Sequence, residues 1–501
     1  MALTDQSKLA LRAGLGEAAG LEVANALVGA ASIGIYRNGS VVGSYGGATA
    51  TERGTALLSA KNAALSGDTI FVGPGSYTIS ANLLKDGVNY HFEVGAVVTR
   101  SDSGDGSVWD DYTNGANGAC TSIVTGAGTF IRTGSVEDEQ NCVILLTHSA
   151  SDLTIHAHNL ENNSDFATAL LRSVVRHVSG RLNIFCNDIL GPNCLGLWWS
   201  DGEEYIVCNE LVARSLAFYV SPCSAGESGP GDIGNQFTSG YMWVKGRKAR
   251  TTTADSNGNY LCGTNGLYAT LDDDSPRVWL DFDLYDGTDN GAVFNCASGI
   301  FWYLDGEKAV QSHNGAGCKV LYQGGGKLWN RIGKLQGGVG GTCDFADGEC
   351  WMTTPDINDG GVQTNAHCIT VGADEGGGVG AGGTVHLSFQ SLVKSSTGRA
   401  INVQGGTCNV LSGAITTSNG SQKDLYKATN DSVLNVSSGV QYDPAKTTGI
   451  FTIFGNVRAP NMTGTARDAL NNPQPGTVIY NTTTNKLNVR VAAGWEAVTS
   501  S

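Results

Sequence analysis

Charge is scarce in this chain. Only 15% of its 501 residues are Asp, Glu, Lys or Arg, against about 25% in an ordinary globular domain. Basic charge is the scarcer sign, with 31 Lys and Arg against 46 Asp and Glu and a formal net charge of −15. So few charges cannot coat the exposed faces of a helical bundle. The acidic balance argues against a polyphosphate partner, so no nucleic acid is expected. No apolar run reaches ~18 residues, and no membrane insertion is expected. Asp5, Lys8, Arg12, Glu17 and Glu22 break the stretch where an export signal needs an apolar core, which predicts cytoplasmic assembly. Thirteen cysteines are scattered singly without a Cys-x-x-Cys. That spacing does not suit a zinc knuckle, and buried free thiols are the expectation in a chain of this size.

Glycine, by contrast, is abundant: 70 of 501 residues, roughly twice the usual share. The glycines follow no Gly-X-Y period, so collagen is excluded. With 41% hydrophobic residues and nine tryptophans, the chain has too much to bury to remain disordered. The composition describes a long, turn-rich, all-β protein.

Residues 3–28 read as two short helices, the first capped by Thr4 and broken at Gly14 and Gly16, the second with Leu21, Ala24 and Val28 on one face. A hairpin follows, with Ile33 and Ile35 before the type I′ turn signal Asn38-Gly39 and Val41 after it. Residues 1–48 therefore read as an attachment segment that docks on something else. An amphipathic helix is predicted over 51–66, with Leu57, Leu58, Ala60, Ala64 and Leu65, capping the open end of what comes next.

From about residue 150 a template recurs, apolar at positions 1, 3, 5 and 8. Leu153, Ile155, Ala157 and Leu160 fit it, as do Leu182, Ile184, Cys186 and Ile189, and Val385, Leu387, Phe389 and Leu392. Ile206, Cys208 and Leu211 fit with Glu204 as the exception at position 1; Cys408, Val410 and Ile415 fit with Ser412 at position 5; Val278, Leu280 and Phe282 match the first three positions. Copies start at 153, 182 and 204, and again at 385 and 408, while 215–275 and 310–380 lose the register. Short strands at this period stack as coils, each burying its inner face on the next: a parallel β-solenoid. Position 6 is polar in His158, Asn187, Asn209, Asp283 and Gln390, which predicts side chains hydrogen-bonding up and down the stack.

Gly67 to Ile79, then Leu83 to Tyr90 and Gly95 to Val98, resemble the first coils of pectate-lyase-like right-handed β-helices, where the motif follows a capping helix and recurs in bacteriophage tailspikes and fibres. Thr465 to Leu470, Pro475 to Val489 and Gly494 to Val498 resemble a terminal module of phage fibre and virion proteins, two strands around an Asn-Thr turn with Trp495 as anchor. The resemblance implies a right-handed parallel β-helix over 49–420, the end of the solenoid and a linker over 421–455, and a C-terminal β module over 456–501. It also implies a bacteriophage spike or fibre protein located in the virion and assembled in the host cytoplasm. The expected partners are two further copies in a homotrimer, other virion proteins through the N-terminal segment, and host surface glycan.

Trp279, Asp281 and Asp283 alternate with Val278, Leu280 and Phe282, which puts a ring and two carboxylates on one outer face. Residues i and i+2 lie about 6.6 Å apart on a strand, within the range for inverting glycosidases. Trp198, Trp199, Asp201, Glu203 and Glu204 form a second such cluster. Glycan contact by Trp198, Trp199, Asp201 and Trp279 is the expectation, with Asp281 and Asp283 the only catalytic candidates. Asp281 and Asp283 stand exposed and close in an already acidic chain, so neither has the apolar wall that keeps a general acid protonated. A depolymerase is the alternative. Asp272 to Asp274 and Asp286 to Asn290 do not match a calcium loop, and His156 with His158 lack a third ligand. No metal and no cofactor are expected.

Overall fold

The computed structural model describes residues 33–101, 106–112, 118–134, 141–163, 173–198, 202–221, 240–252, 261–264, 275, 277–288, 292–296, 300–312, 318–338, 340–359, 367–372, 382–418, 423–428, 432–449, 452–454, 461–468, 478–484, 486–491 and 494–497. The helices expected over 3–28, Trp199, Asp201, Cys223 and Asp272 to Asp274 lie outside the described residues.

The chain is all-β, and one 33-stranded sheet holds nearly all of its strands. Apart from one antiparallel hairpin, three ladders of parallel strands make up that sheet. The first runs from Thr69–Val72 through Asn89–Phe92, Thr121–Gly126 and Asp152–His156 to Val433–Ser437 and Thr452–Phe454. The second starts at Gly75–Ile79 and ends in the second half of Thr407–Thr417. The third leads from Trp109–Asp110 to Thr447–Thr448. In cycle after cycle the chain visits first, second and third ladder in that order. The region where the sequence template loses its register is continuous here: Tyr241–Thr251, Lys319–Gln336 and Cys343–Thr353 pair in parallel with strands on both sides.

Strand alternation sorts the side chains into columns. One inward column of the first ladder is Leu153, Leu182, Glu204, Met242, Val278, Trp302, Leu328, Cys350, Val385, Cys408 and Leu434. The next contains Ile155, Ile184, Ile206, Val244, Leu280 and Leu304, and later Leu387, Val410 and Val436. These residues are buried and, Glu204 apart, belong to one hydrophobic core that extends from Ile33 to Val440. The twelve described cysteines are unbonded, ten of them buried and Cys120 and Cys186 half-buried.

The N-terminal edge of the first ladder is covered, not open. Asn38 and Gly39 take positive φ (47° and 87°), as the hairpin turn requires. Ile33–Arg37 then pairs antiparallel with both Ser40–Tyr45 and Thr69–Val72. The hairpin assigned from sequence to a separate attachment segment is therefore part of the sheet, held by Ile33 and Ile35 in the core and by the Arg37 guanidinium on both carboxylate oxygens of Asp68 at 2.7 Å. The helix spans Ala50–Ala63, with a capping box between Thr49 and Glu52. It stops three residues before the expected end, where Ala64 turns extended and the Lys85 ammonium donates to the carbonyls of Lys61, Asn62 and Ala64. Gly54 lets it lie on Gly75–Ile79, since a Cβ there would stand 1.7 Å from the Thr78 carbonyl oxygen.

The position-6 residues do not bond to one another through their side chains. Their backbones stack, with Asn187 N–H donating to His158 and Asn209 N–H to Asn187. The amide groups reach sideways instead, Asn187 to Asn159 and Asn209 to Asp188. A separate four-stranded sheet, Asn461–Met462, Val478–Asn481, Lys486–Val491 and Gly494–Ala497, forms the C-terminal module. Half-buried Trp495 stands opposite Arg490 there, and the turn is held by Asn481 Oδ1, which accepts from Thr483 N–H.

Candidate functional site

The outward residues of the first ladder form a column that changes character along its length. Register places Thr154, Asn183, Tyr205, Trp243, Trp279, Tyr303, Trp329, Trp351, His386, Asn409 and Asn435 one above another. At both ends the column is polar and hydrogen-bonded: Asn183 donates to Thr154 at 3.2 Å and Asn435 to Asn409 at 2.8 Å. Between them stand aromatic rings. Tyr205 stacks on Trp243 at 4.5 Å, and Trp279 on Tyr303 at 4.0 Å. Tyr303 stacks on Trp329 at 4.7 Å, Trp329 on Trp351 at 4.9 Å and Trp351 on His386 at 5.6 Å. The interplanar angles in these five pairs are 4–7°. Adjacent rungs lie ~4.8 Å apart, so rings at one position on successive strands are set at stacking distance by the backbone.

Charges flank the rings and pair along the ladder. Lys245 Nζ donates to Asp281 Oδ2 at 2.8 Å, and Arg331 to Asp305 Oδ2 at 2.6 Å, each pair directly opposite in register. The hydrogen bond to Asp281, followed by the attraction of its charge, raises the Lys245 pKa. Lys327 lies 3.8 Å from Glu349, and Arg181 3.1 Å from Glu203. Arg277 sits over the Phe301 ring, 5.4 Å from its centroid.

The structure brings Trp279 and Asp281 onto the outer face, as their alternation with buried Val278, Leu280 and Phe282 predicts. Half-buried Trp279 gives one face to Tyr303 and lies 5.0 Å from Tyr241 at 41°. Asp283 is exposed at the corner between the first and second ladders, where pairing skips from Phe282 to Leu284. The second cluster is divided. Trp198 ends the strand Asp188–Trp198 in the third ladder, and its side chain, with Trp199 and Asp201, falls outside the described residues. Glu203 points out to Arg181, but Glu204 points in, fully buried, 4.0 Å from the equally buried His177. Neither carboxylate oxygen of Glu204 has a hydrogen-bond partner, and burial pushes its pKa up to about 8.

Asp286, from the calcium candidates, lies 3.4 Å from Lys248 and accepts from Ser312. Exposed His156 stacks on Phe185. Among the described residues no group of three or more His, Cys, Asp or Glu is placed to hold a metal ion. Sequence reasoning missed Tyr205, Trp243, Tyr303, Trp329, Trp351 and His386. They share position 2 of the template, a position visible only once every copy is aligned. Comparison with family models, curated proteins and solved structures returned no match.

Proposed function

We propose that the ladders close into a right-handed parallel β-helix that forms the shaft of a bacteriophage spike or fibre, a homotrimeric structural protein of the virion that meets host surface glycans. The observation that carries this reading is the unbroken parallel pairing of the first ladder from Thr69 to Phe454, cycle after cycle, over one continuous apolar core. Parallel crossovers in one sheet are right-handed in nearly every case. Stacked rungs at ~4.8 Å each make a rod roughly 70 Å long, which is the shape of a projecting element. The resemblance of residues 67–98 to tailspike coils and of 465–498 to a fibre terminal module points the same way. With the hairpin built into the sheet, attachment to other virion proteins falls to residues 1–32. The outer carboxylates support a structural role over a catalytic one: Asp281 and Asp305 are each held by a cation of the neighbouring strand.

Electron microscopy of the purified chain tests the reading. Threefold rods are the expected result, and compact single chains overturn it. Incubation with host capsule or lipopolysaccharide separates adhesion from cleavage. New reducing ends that vanish in Asp281→Asn or Asp283→Asn would replace the structural reading with a depolymerase.

A further inference from the structure

The aromatic segment of the outer column is a local feature of a uniform scaffold. Rungs stack as well without rings, as the hydrogen-bonded Asn and Thr steps above and below show. The inward columns continue unchanged past both limits of the segment. Something other than rung stacking therefore accounts for rings over Tyr205 to Trp351.

We infer that this strip is the face through which copies of the chain pack on one another, lining the axis of the assembly. Three observations carry it. First, the rings stack in two runs, Tyr205 with Trp243 and Trp279 through Tyr303 and Trp329 to Trp351, at 4.0–4.9 Å, so most of their faces are spent on each other. A sugar ring is held against an aromatic face, whereas edges from one strip meet rings of another in edge-to-face contact. Second, the strip is electrically balanced in a protein that is not. Lys245 with Asp281, Arg331 with Asp305 and Lys327 with Glu349 sum to zero, while the whole chain carries −15. Copies of an acidic chain repel through most of their surface and least through this face. Third, the area fits. Six rungs by three outward columns give ~600 Å² per copy, most of the about 800 Å² per partner in a standard stable interface. The inference deepens the homotrimer reading and rests on it.

Sedimentation of wild type, Trp279→Glu, Trp329→Glu and Gln390→Glu, each checked for folding by circular dichroism, tests it. Gln390 is exposed and lies off the strip. Expected are an assembled wild type and Gln390→Glu, with both Trp variants folded but sedimenting as the 52.0 kDa chain. That change corresponds to association weakened at least ~10-fold. Trp279→Phe should restore assembly. Folded Trp variants at wild-type mass would overturn the assignment of the face while leaving the trimer intact, and loss of glycan binding at unchanged mass would make the strip a glycan site. A monomeric wild type would overturn both readings. Should the Glu variants fail to fold, Tyr205→Cys decides: Tyr205 is 39% exposed on the strip, so oxidation should yield covalently linked chains, and their absence refutes the inference.

Discussion

Between residues 69 and 132 the large rings lie inside. Tyr77, Tyr90, Phe92, Trp109 and Phe130 are fully buried, and Trp109 meets Tyr90, Phe92 and Phe130 edge-on at 5.1–6.2 Å. Over the same stretch the outer column holds Thr69, Asn89 and exposed Ile123, and further on Thr154 and Asn183. Between residues 205 and 386 rings stand on both faces, with Phe282, Tyr285, Phe294 and Phe345 fully buried inside. Trp302 apart, the facing inward column carries Met242, Val278, Leu328, Cys350 and Val385, while the outer column carries the stacked rings. The two regions share one backbone register, so the ladder does not dictate where an aromatic residue goes. Inside, a ring fills the space between ladders. Outside, it stacks on the ring of the next rung.

The largest expected effect lies in the inner cluster. Trp109→Ala should cost about 3–5 kcal/mol, since the cavity is enclosed by three other rings. Urea unfolding would measure it, and a loss under 1 kcal/mol (about what a surface change costs) would show the cluster to be loosely packed. Next comes the one carboxylate in the inward column of the middle region. Glu204 ionises near 4.5 when unfolded, but burial moves the folded pKa up to about 8. The folded state binds the extra proton between these values, so stability falls as pH rises from about 4.5 to 8 and is unaffected by this group below that window. Glu204→Met, matching Met242 one rung along, should remove this slope and gain on the order of 2 kcal/mol at pH 7. Superimposable stability profiles of the two proteins over that pH range would refute the assignment.

Trp329→Ala should cost less than Trp109→Ala, ~1–2 kcal/mol for two lost stacking partners on a half-buried face. Equal losses at Trp109 and Trp329 would abolish the distinction between inner and outer rings. The smallest effect belongs to the flanking charges. Lys245→Ala should shift the thermal midpoint barely measurably, and high salt should erase the shift, because exposed ion pairs are screened.

The sequence displayed the inward columns wherever every interior position is large and apolar, as at Leu153, Ile155 and Leu160 or Leu182, Ile184 and Ile189. It concealed them where neighbouring rungs trade volume. Tyr241–Thr251 has Gly246 and Ala249 at template positions 5 and 8, and the Phe282 ring of the next rung occupies the room that Gly246 leaves: a Cβ on Gly246 would lie 2.5 Å from it. Gly413 does the same for Phe389, at 2.2 Å. Elsewhere a buried polar residue breaks the pattern, as with Asn330 and Thr354. The aromatic strip was less legible still. Trp279 stood out only beside its chain neighbours, while its stacking partner Tyr303 comes from the next rung, a relation that depends on loop lengths. The Trp198 to Glu204 cluster misled because adjacent residues on a strand face opposite ways, and Glu203 and Glu204 do so.

The covered edge at Thr69–Val72 also sets an order of events during synthesis. Residues 33–92 emerge early, and their contacts are short in sequence: hairpin to first strand, helix to second strand, first strand to the rung above. Every later rung then needs only the finished one before it, so closure entropy is met in small instalments instead of across the whole chain. Pulse-labelled hydrogen exchange during refolding should find the amides of Ile70 and Tyr90 protected before those of Leu387 and Val410. Growth that starts beneath a cap has a direction, and in this chain it runs with the ribosome.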